Sequence, residues 1–331
     1  MSEQEPKPDI FYKIKNQTWA TAAMLAGMEL DLFTSLGSSP LTVQQLARKL
    51  DVKAEKLLPL LYMLVITGLL MEHDGVFSNT PETDAYMVRG KPGFFGDVYK
   101  IWSRNLEASL KTAETIRTGI PQAKYDWKNM PKNKLKSLQE GMSSGSDDYA
   151  DWLSSTFDFS QCRSFLDAGG GSGAVAIELT KIHPRMKATV IDLPEVTTIT
   201  EEFVLEANAS DRVMVVSADL TSDPIPGTYD AALLSAVIQT VSAEEARQII
   251  MNVGSALNPG GWLYIIGSGI LNDSRLSPKT AVEMNLVFIN VYDHGQSFTE
   301  DEHRVWLEEA GFEDPTFLFD EFTITARKRM N

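Results

Sequence analysis

The sequence predicts an α/β domain with a mostly parallel sheet, preceded by a smaller and mostly helical domain. Beyond residue 160, short β-rich runs alternate with helical segments, a pattern typical of a parallel sheet with helices on both faces. Residues 10–87 instead show the three- and four-residue apolar spacing of helices that bury one face. The chain has 331 residues, 43% of them hydrophobic, and is therefore long enough to form both domains.

The N-terminal region, 1–95, is predicted to form a helix-turn-helix followed by a hairpin, as in a winged helix. Its helices are 41–50, which Thr42 caps with Gln45 three residues later, and 54–67; the hairpin is 69–78. The would-be recognition helix is mostly apolar and the chain carries a net charge of -15, whereas binding to nucleic acid requires exposed basic side chains. We therefore expect no nucleic-acid partner, and a homodimer formed by packing two copies of this domain.

The middle region, 96–155, is predicted to be a helical linker in which 138–144 form a lid over the active site. No apolar run approaches the roughly 20 residues that span a bilayer, and the N-terminus lacks a hydrophobic signal core. The single cysteine, Cys162, cannot form an intramolecular disulfide. We expect a cytoplasmic protein with no membrane partner and no metal.

The C-terminal region, 156–331, is predicted to alternate strands and helices. The strands are 164–167, 187–192, 213–217, 231–234 and 262–267, and the helices are 174–183, 197–207 and 244–257. Residues 312–327 are predicted to form two strands joined by a short turn. Such a terminal antiparallel hairpin is not a feature of the ordinary dinucleotide-binding sheet.

A glycine-rich stretch, Phe-Leu-Asp-Ala-Gly-Gly-Gly-Ser-Gly at 165–173, is the most informative part of the chain. Glycines let the backbone approach a ligand, and an acidic residue at the end of the next strand, Asp192, can accept both hydroxyls of a ribose. This pattern predicts a site for an adenosine-containing cofactor, and by itself it also fits an NAD-dependent dehydrogenase. Three features narrow the choice: Asp167 directly before the glycines, Ser-Ala-Asp-Leu at 217–220, and Asn-Pro-Gly-Gly at 258–261.

Together these runs, and above all Ile-Asp-Leu-Pro-Glu-Val at 191–196, resemble the S-adenosylmethionine-dependent class I O-methyltransferases of plant phenolic, acetylserotonin and bacterial secondary-metabolite pathways. The resemblance covers nearly the whole chain. It implies a Rossmann-like methyltransferase sheet over 156–331, an N-terminal winged-helix dimerisation domain, the cofactor S-adenosyl-L-methionine and a small-molecule methyl acceptor.

The resemblance also implies site residues. The glycine turn would face the methionine portion of the cofactor, Asp192 the ribose, and Asp219 the adenine, although Asp219 also suits a turn cap. The implied cofactor-binding residues are Asp167, Gly169, Gly170, Gly171, Asp192, Leu193, Ala218, Asp219, Leu220 and Ser235. The implied acceptor pocket contains Met142 together with Asn285, Phe288 and Tyr292, which share one face of a predicted helix.

This sequence lacks the catalytic pair of the family at both matching positions. Gln239 stands where the family has its histidine base, and Ser297 replaces the glutamate that orients that base. His294, just past the acceptor-pocket helix, is the candidate substitute, with an exposed turn residue as the alternative. His303 is expected on a helix surface.

The sequence leaves the reaction open between three alternatives. O-methylation of a small aromatic or polyketide-like molecule is the first, because the resemblance implies it. C-methylation of an activated carbon is the second, because such a carbon needs a less demanding base. The third is a relative that binds the cofactor and catalyses a reaction without methyl transfer.

Overall fold

The computed structural model describes residues 7–143, 146–318 and 322–330. The chain divides into two compact units, Met1–Ser103 and Arg104–Asn331. Helix α6 (Tyr99–Ser109) runs across the boundary. Among the described residues, none of the helices is both long and apolar enough to cross a membrane.

The first unit is a helical domain with a small antiparallel sheet. Its elements are α1 (Asp9–Glu29), α2 (Leu32–Leu36), β1 (Leu41–Thr42), α3 (Val43–Leu50), α4 (Ala54–Ile66), β2 (Leu70–His73), β3 (Val76–Asn79) and α5 (Pro81–Met87). The sheet has the order β1-β3-β2. The Thr42 hydroxyl accepts from the Gln45 backbone amide, and the Gln45 side chain accepts from the Thr42 amide. This capping box and the hairpin β2-β3 confirm the helix-turn-helix and wing predicted from the sequence.

The second unit contains the large sheet. Its further elements are α7 (Thr112–Thr118), α8 (Lys132–Met142), α9 (Ser146–Thr156), β4 (Ser164–Ala168), α10 (Ala174–Ile182), β5 (Lys187–Asp192), α11 (Pro194–Glu206), β6 (Val213–Ser217), β7 (Tyr229–Ser235), α12 (Ala243–Ala256), β8 (Leu257–Ile266), β9 (Ile270–Leu271), α13 (Lys279–Val291), β10 (Phe298–Thr299), α14 (Glu300–Glu309), β11 (Phe312–Leu318) and β12 (Thr323–Lys328).

The seven strands have the order β11-β12-β8-β7-β4-β5-β6. Strands β4 to β8 pair in parallel, whereas β12 pairs antiparallel with both of its neighbours. The predicted terminal hairpin is confirmed in its two strands, and its turn at 319–321 lies outside the described residues. The strand order reverses between β4 and β7, and ligands of open α/β sheets bind at the carboxyl ends of the strands at such a point.

Both faces of the central strands of this sheet are buried, which explains why those strands are apolar without alternation. In β4, Phe165 packs into the core on one face and Leu166 into the core on the other. Strands β5, β7 and β8 alternate between the two cores in the same way. The helices therefore cover both faces of the central strands and leave their carboxyl ends for a ligand.

His303 is not on a helix surface, so that prediction is wrong. Its ring is 1% exposed and packs beside the rings of Phe298 and Trp306. Its Nδ1 lies 2.8 Å from the carbonyl oxygen of Thr299. Burial lowers the pKa of His303 to about 4, so the ring is neutral at pH 7 and belongs to the core.

Candidate active site

The glycine turn joins β4 to α10 at the point where the strand order reverses. Gly169, Gly171 and Gly173 have φ angles of 72°, 56° and 73°, values that side chains with a Cβ rarely adopt. A Cβ on Gly169 would lie 2.4 Å from the Cγ2 atom of Val237, and one on Gly170 would lie 2.6 Å from the Asp167 Cγ atom. The turn thus forms a close backbone cradle that only glycine can build.

Asp192 ends β5 beside this turn. Its Oδ2 atom accepts from the Gly171 amide at 2.8 Å, and its Oδ1 atom accepts from the Leu193 amide at 2.7 Å. Burial raises the pKa of Asp192, and these two amides oppose that rise. A carboxylate offers about four lone-pair sites, so Asp192 can still accept two ribose hydroxyls. The residues therefore fit an adenosine-containing cofactor.

Asp167 lies beneath the turn and is 1% exposed. Burial and then the negative charge of Asp192 raise its pKa to about 7. The hydroxyl of Tyr149, on α9, is buried and has no hydrogen-bond partner among the described residues. Burial and the charge of Asp167 raise the pKa of Tyr149. Sequence reasoning missed Tyr149, because its approach to the turn depends on the packing of α9 and not on a local motif.

The residues assigned to the adenine follow β6. Ala218 and Leu220 are buried, and the Ala218 amide donates to the Asp192 carbonyl at 3.0 Å. The Asp219 Oδ1 atom accepts from the amide and the hydroxyl of Thr221, at 2.9 and 2.7 Å. Asp219 is therefore a turn cap here. The other carboxylate oxygen of Asp219 remains a candidate for the adenine, and that assignment stays a prediction.

Helix α8 contacts the glycine turn. The Gln139 Oε1 atom lies 2.6 Å from where a Cβ on Gly171 would be, and the hydroxyls of Ser143 and Ser172 are 2.5 Å apart. This end of α8 thus covers the cradle. Of the segment predicted as a lid, 138–144, the last residue lies outside the described part of the chain. Met142, the last residue of α8, is 42% exposed.

Two lysines fasten α8 to the helix after Asp192. Lys132 pairs with Glu202 at 2.6 Å, and Lys136 pairs with Glu202 and Glu206 at 3.2 and 2.8 Å. Both glutamates belong to α11. Because α11 begins directly after the Asp192 loop, these ion pairs connect α8 to the helix that follows Asp192.

Gln239 lies in a 3₁₀ turn past the end of β7 and is 7% exposed. Its side chain packs against Gly267 and Gly269, where a Cβ would lie 2.8 Å from its Nε2 atom and 2.5 Å from its Cβ atom, respectively. The preceding Ala236 has a φ of 57°, and such strained residues cluster at functional sites. Ser235, which ends β7, is half-buried.

Ser297 is fully buried and forms two hydrogen bonds with residues of α13. Its hydroxyl donates to the Ala281 carbonyl at 3.1 Å, and its amide donates to the Asn285 Oδ1 atom at 2.8 Å. The predicted pocket residue Asn285 is thus engaged with the backbone of the following loop. Ser297 has no acidic group with which to orient a base.

The rings of Phe288 and Tyr292 lie next to each other, with centroids 6.2 Å apart, at the end of α13. A Cβ on Gly295 would lie 2.6 Å from the Tyr292 Cβ atom and 2.9 Å from the Gln239 carbonyl oxygen. The loop after α13 therefore brings Tyr292 close to Gln239. His294 lies in the same loop and is exposed, and its neighbour Asp293 pairs with Lys124.

The fold and the site are typical of an α/β enzyme that binds an adenosine cofactor. The features that indicate this class are the seven-stranded sheet with its terminal antiparallel hairpin, the glycine cradle and the acidic residue at the next strand end. A family model described as the O-methyltransferase domain matches residues 115–313, and one described as the O-methyltransferase dimerisation domain matches residues 12–89. The chain belongs to the O-methyltransferase family and is an S-adenosylmethionine-dependent methyltransferase.

Individual proteins are similar to this chain in sequence or in fold. The chain is 30% identical over 309 residues to 3-hydroxy-5-methyl-1-naphthoate 3-O-methyltransferase of Streptomyces sahachiroi, and this match covers 92% of this chain and 89% of that protein. It is 24% identical over 306 residues to L-tyrosine C(3)-methyltransferase of Streptomyces lavendulae, covering 88% and 80%. The structure of human N-acetylserotonin methyltransferase in complex with S-adenosylmethionine matches with a TM-score of 0.84 and 21% identity, covering 99% of both chains.

Proposed function

We propose that this chain transfers the methyl group of S-adenosylmethionine to an oxygen of a small aromatic or polyketide-like acceptor. The observation that carries the proposal is the 30% identity to a naphthoate 3-O-methyltransferase along 92% of the chain. The aromatic side chains at the end of α13, Phe288 and Tyr292, support a flat, apolar acceptor. When bound, S-adenosylmethionine supplies an electrophilic methyl group.

In this proposal, Gln239 takes the position of the family base without acting as one. A neutral amide donates and accepts hydrogen bonds but does not take up a proton at neutral pH. Because Gln239 is held between Gly267 and Gly269, its amide is suited to orient the acceptor. The buried Ser297 cannot restore an acid-base pair, since its hydroxyl donates to α13.

Alignment can compensate for the missing base. Ionising a phenol with a pKa near 10 at pH 7 costs about 4 kcal/mol, whereas orientation and avoided solvent reorganisation contribute about 7–11 kcal/mol in favourable cases. The chain's task is then to hold the acceptor in line with the methyl group and to exclude water. Acceptors that are already acidic should react fastest.

His294 is the proposed alternative base. It follows α13 by three residues, and the ion pair between Asp293 and Lys124 fixes the loop on one side of it. Its exposed ring would have to turn toward the acceptor pocket to accept a proton. The pocket residues proposed here are Met142, Asn285, Phe288 and Tyr292.

C-methylation is the second candidate, and the similarity to L-tyrosine C(3)-methyltransferase favours it. An activated carbon nucleophile would not need the histidine that Gln239 replaces. The two reactions give products of equal mass that fragment differently. A relative that does not transfer methyl would give no product with the added CH2 equivalent.

A homodimer formed through residues 12–89 and a cytoplasmic location are parts of the same proposal. The match to the dimerisation domain supports the dimer. Helix α1 also exposes a run of large apolar side chains: Ile10, Phe11, Tyr12, Ile14 and Trp19. Sedimentation equilibrium would test the dimer directly.

The function is tested by incubating the protein with S-adenosylmethionine and a panel of hydroxylated benzoates, naphthoates and naphthols. We expect S-adenosylhomocysteine and a product that has gained one CH2 equivalent. Fragmentation of the product then assigns the methyl group to oxygen or to carbon. Cofactor binding with no such product from any acceptor, including a metabolite extract of the host, would contradict the proposal.

A further inference from the structure

Arg104, on α6, is a cation whose donors are not all used by the protein. Its Nη2 atom donates to the carbonyls of Ala123 and Lys124, at 2.9 and 3.3 Å. Its Nε atom is buried and has no hydrogen-bond acceptor among the described residues, where Arg104 also forms no ion pair with a carboxylate. A buried donor without a partner is destabilising, so this edge of the guanidinium is suited to an acceptor from outside the chain.

One aromatic ring, that of Tyr125, contacts this cation, and two further rings pack against Tyr125. The guanidinium carbon lies 3.9 Å from the centroid of Tyr125, and the Tyr125 ring stacks on Trp127 with a centroid distance of 4.9 Å and an angle of 5°. Tyr292 lies on another side of Tyr125, with centroids 5.6 Å apart. Burial raises the pKa of Tyr125 and of Tyr292, and the charge of Arg104 opposes the rise in both. Arg104 therefore acts on both phenol groups.

One of these rings, that of Tyr292, belongs to the proposed acceptor pocket. Tyr292 is next to Gly295, whose Cα is so close to the Gln239 carbonyl that a Cβ would lie 2.9 Å from it. Val237, two residues before Gln239, touches the glycine turn at Gly169. A chain of contacts thus runs from Arg104 through Tyr125 and Tyr292 to the edge of the cofactor cradle.

We propose that Arg104, with the rings of Tyr125, Trp127 and Tyr292, binds the carboxylate of an aromatic acceptor. The proposal rests on the proposed function, in that it names the class of acceptor. A guanidinium donates charge-assisted hydrogen bonds to a carboxylate through the donors that it does not already use, and the aromatic rings offer a flat surface beside it. With a net charge of -15, the protein as a whole repels anions, so an anionic acceptor needs a local cation of this kind.

The test compares three naphthalene probes that differ in one group: 3-hydroxy-2-naphthoate, its carboxamide and 2-naphthol. Their dissociation constants are measured by calorimetry on the full chain with S-adenosylhomocysteine present. We expect the carboxylate to bind at least about tenfold more tightly than either neutral probe. Equal binding of the three probes, or binding of none of them by protein that binds S-adenosylhomocysteine, would overturn the proposal.

Two variants assign the preference to Arg104. Arg104→Gln should abolish the preference for the carboxylate while leaving the affinity for S-adenosylhomocysteine unchanged, and Arg104→Lys should retain part of it. Arg117→Gln is the matched control, because Arg117 is exposed on α7 and pairs with Glu114; it should keep the full preference. A full preference in Arg104→Gln would refute the assignment. If that variant does not fold, the comparison of carboxylate with carboxamide in the unaltered protein still decides.

This outcome is separable from that of the proposed function. Methyl transfer to 2-naphthol with no preference for the carboxylate would remove the Arg104 subsite and keep the O-methyltransferase. Tight carboxylate binding without methyl transfer to any acceptor would keep the Arg104 subsite and remove the O-methyltransferase.

Discussion

Replacing Asp192 with alanine should weaken the binding of S-adenosylhomocysteine at least about tenfold, or about 1.4 kcal/mol. Hydrogen bonds to a charged acceptor contribute about 1.5–3 kcal/mol each, so loss of both ribose hydroxyl bonds removes about 3–6 kcal/mol before water replaces the carboxylate. The Gly171 and Leu193 amides also lose their acceptor, which loosens the cradle itself. Calorimetry with S-adenosylhomocysteine measures the change.

Asp230 provides a matched control at the opposite end of the sheet. Its Oδ2 atom accepts from the amides of Arg163 and Ser164, at 2.8 and 3.0 Å, so Asp230→Ala also removes an acceptor from two backbone amides. We expect that variant to be less stable and to bind S-adenosylhomocysteine as the unaltered protein does. If the two variants bind the ligand equally well, Asp192 does not hold the ribose and the reasoning fails.

Three further predictions concern stability and turnover. Asp167 keeps its proton up to pH about 7 when folded but ionises near pH 4 when unfolded, so folding stability falls as pH rises between these values. The stability of Asp167→Asn relative to the unaltered protein should therefore rise by an amount of the order of 4 kcal/mol from pH 4 to pH 8. If the urea midpoints of the two proteins differ by the same amount at both pH values, this prediction is wrong. His294→Ala should lower kcat about 10²-fold with unchanged affinity for S-adenosylhomocysteine if His294 is the base, and unchanged kcat would refute that role. Gly169→Ala should lower the free energy of unfolding by more than the left-handed strain of about 1 kcal/mol, because the added Cβ would lie 2.4 Å from Val237. Gly119→Ala is the control, since Gly119 has a similar φ and open space around it. Equal losses for the two variants in urea denaturation would show that the glycine turn relaxes around the added methyl group.

Local patterns predicted the glycine turn, the strand before it and the position of Asp192. Each of these depends on a few consecutive residues, such as the glycines that must adopt positive φ. The Thr42 capping box could be predicted for the same reason, since its two partners are three residues apart. The similarity to known enzymes then supplied the cofactor.

Contacts between distant segments could not be predicted in this way. Tyr149 reaches Asp167 and Arg104 reaches Tyr125 only through packing of separate elements. His303 is another case: a helix-surface position is expected from the sequence, whereas the structure turns the ring toward Phe298 and Trp306. The pair β9-β10 was missed because each strand has only two residues, too few for a periodic pattern.

Methyl transfer from the cofactor to an acceptor oxygen is tested most directly with methyl-deuterated S-adenosylmethionine, a metabolite extract of the host and mass spectrometry. We expect a product that carries three deuteriums, with fragments that place the labelled methyl group on oxygen. Label on carbon would contradict O-methylation and favour the second candidate. No labelled product, from protein that binds S-adenosylhomocysteine tightly, would contradict methyl transfer itself.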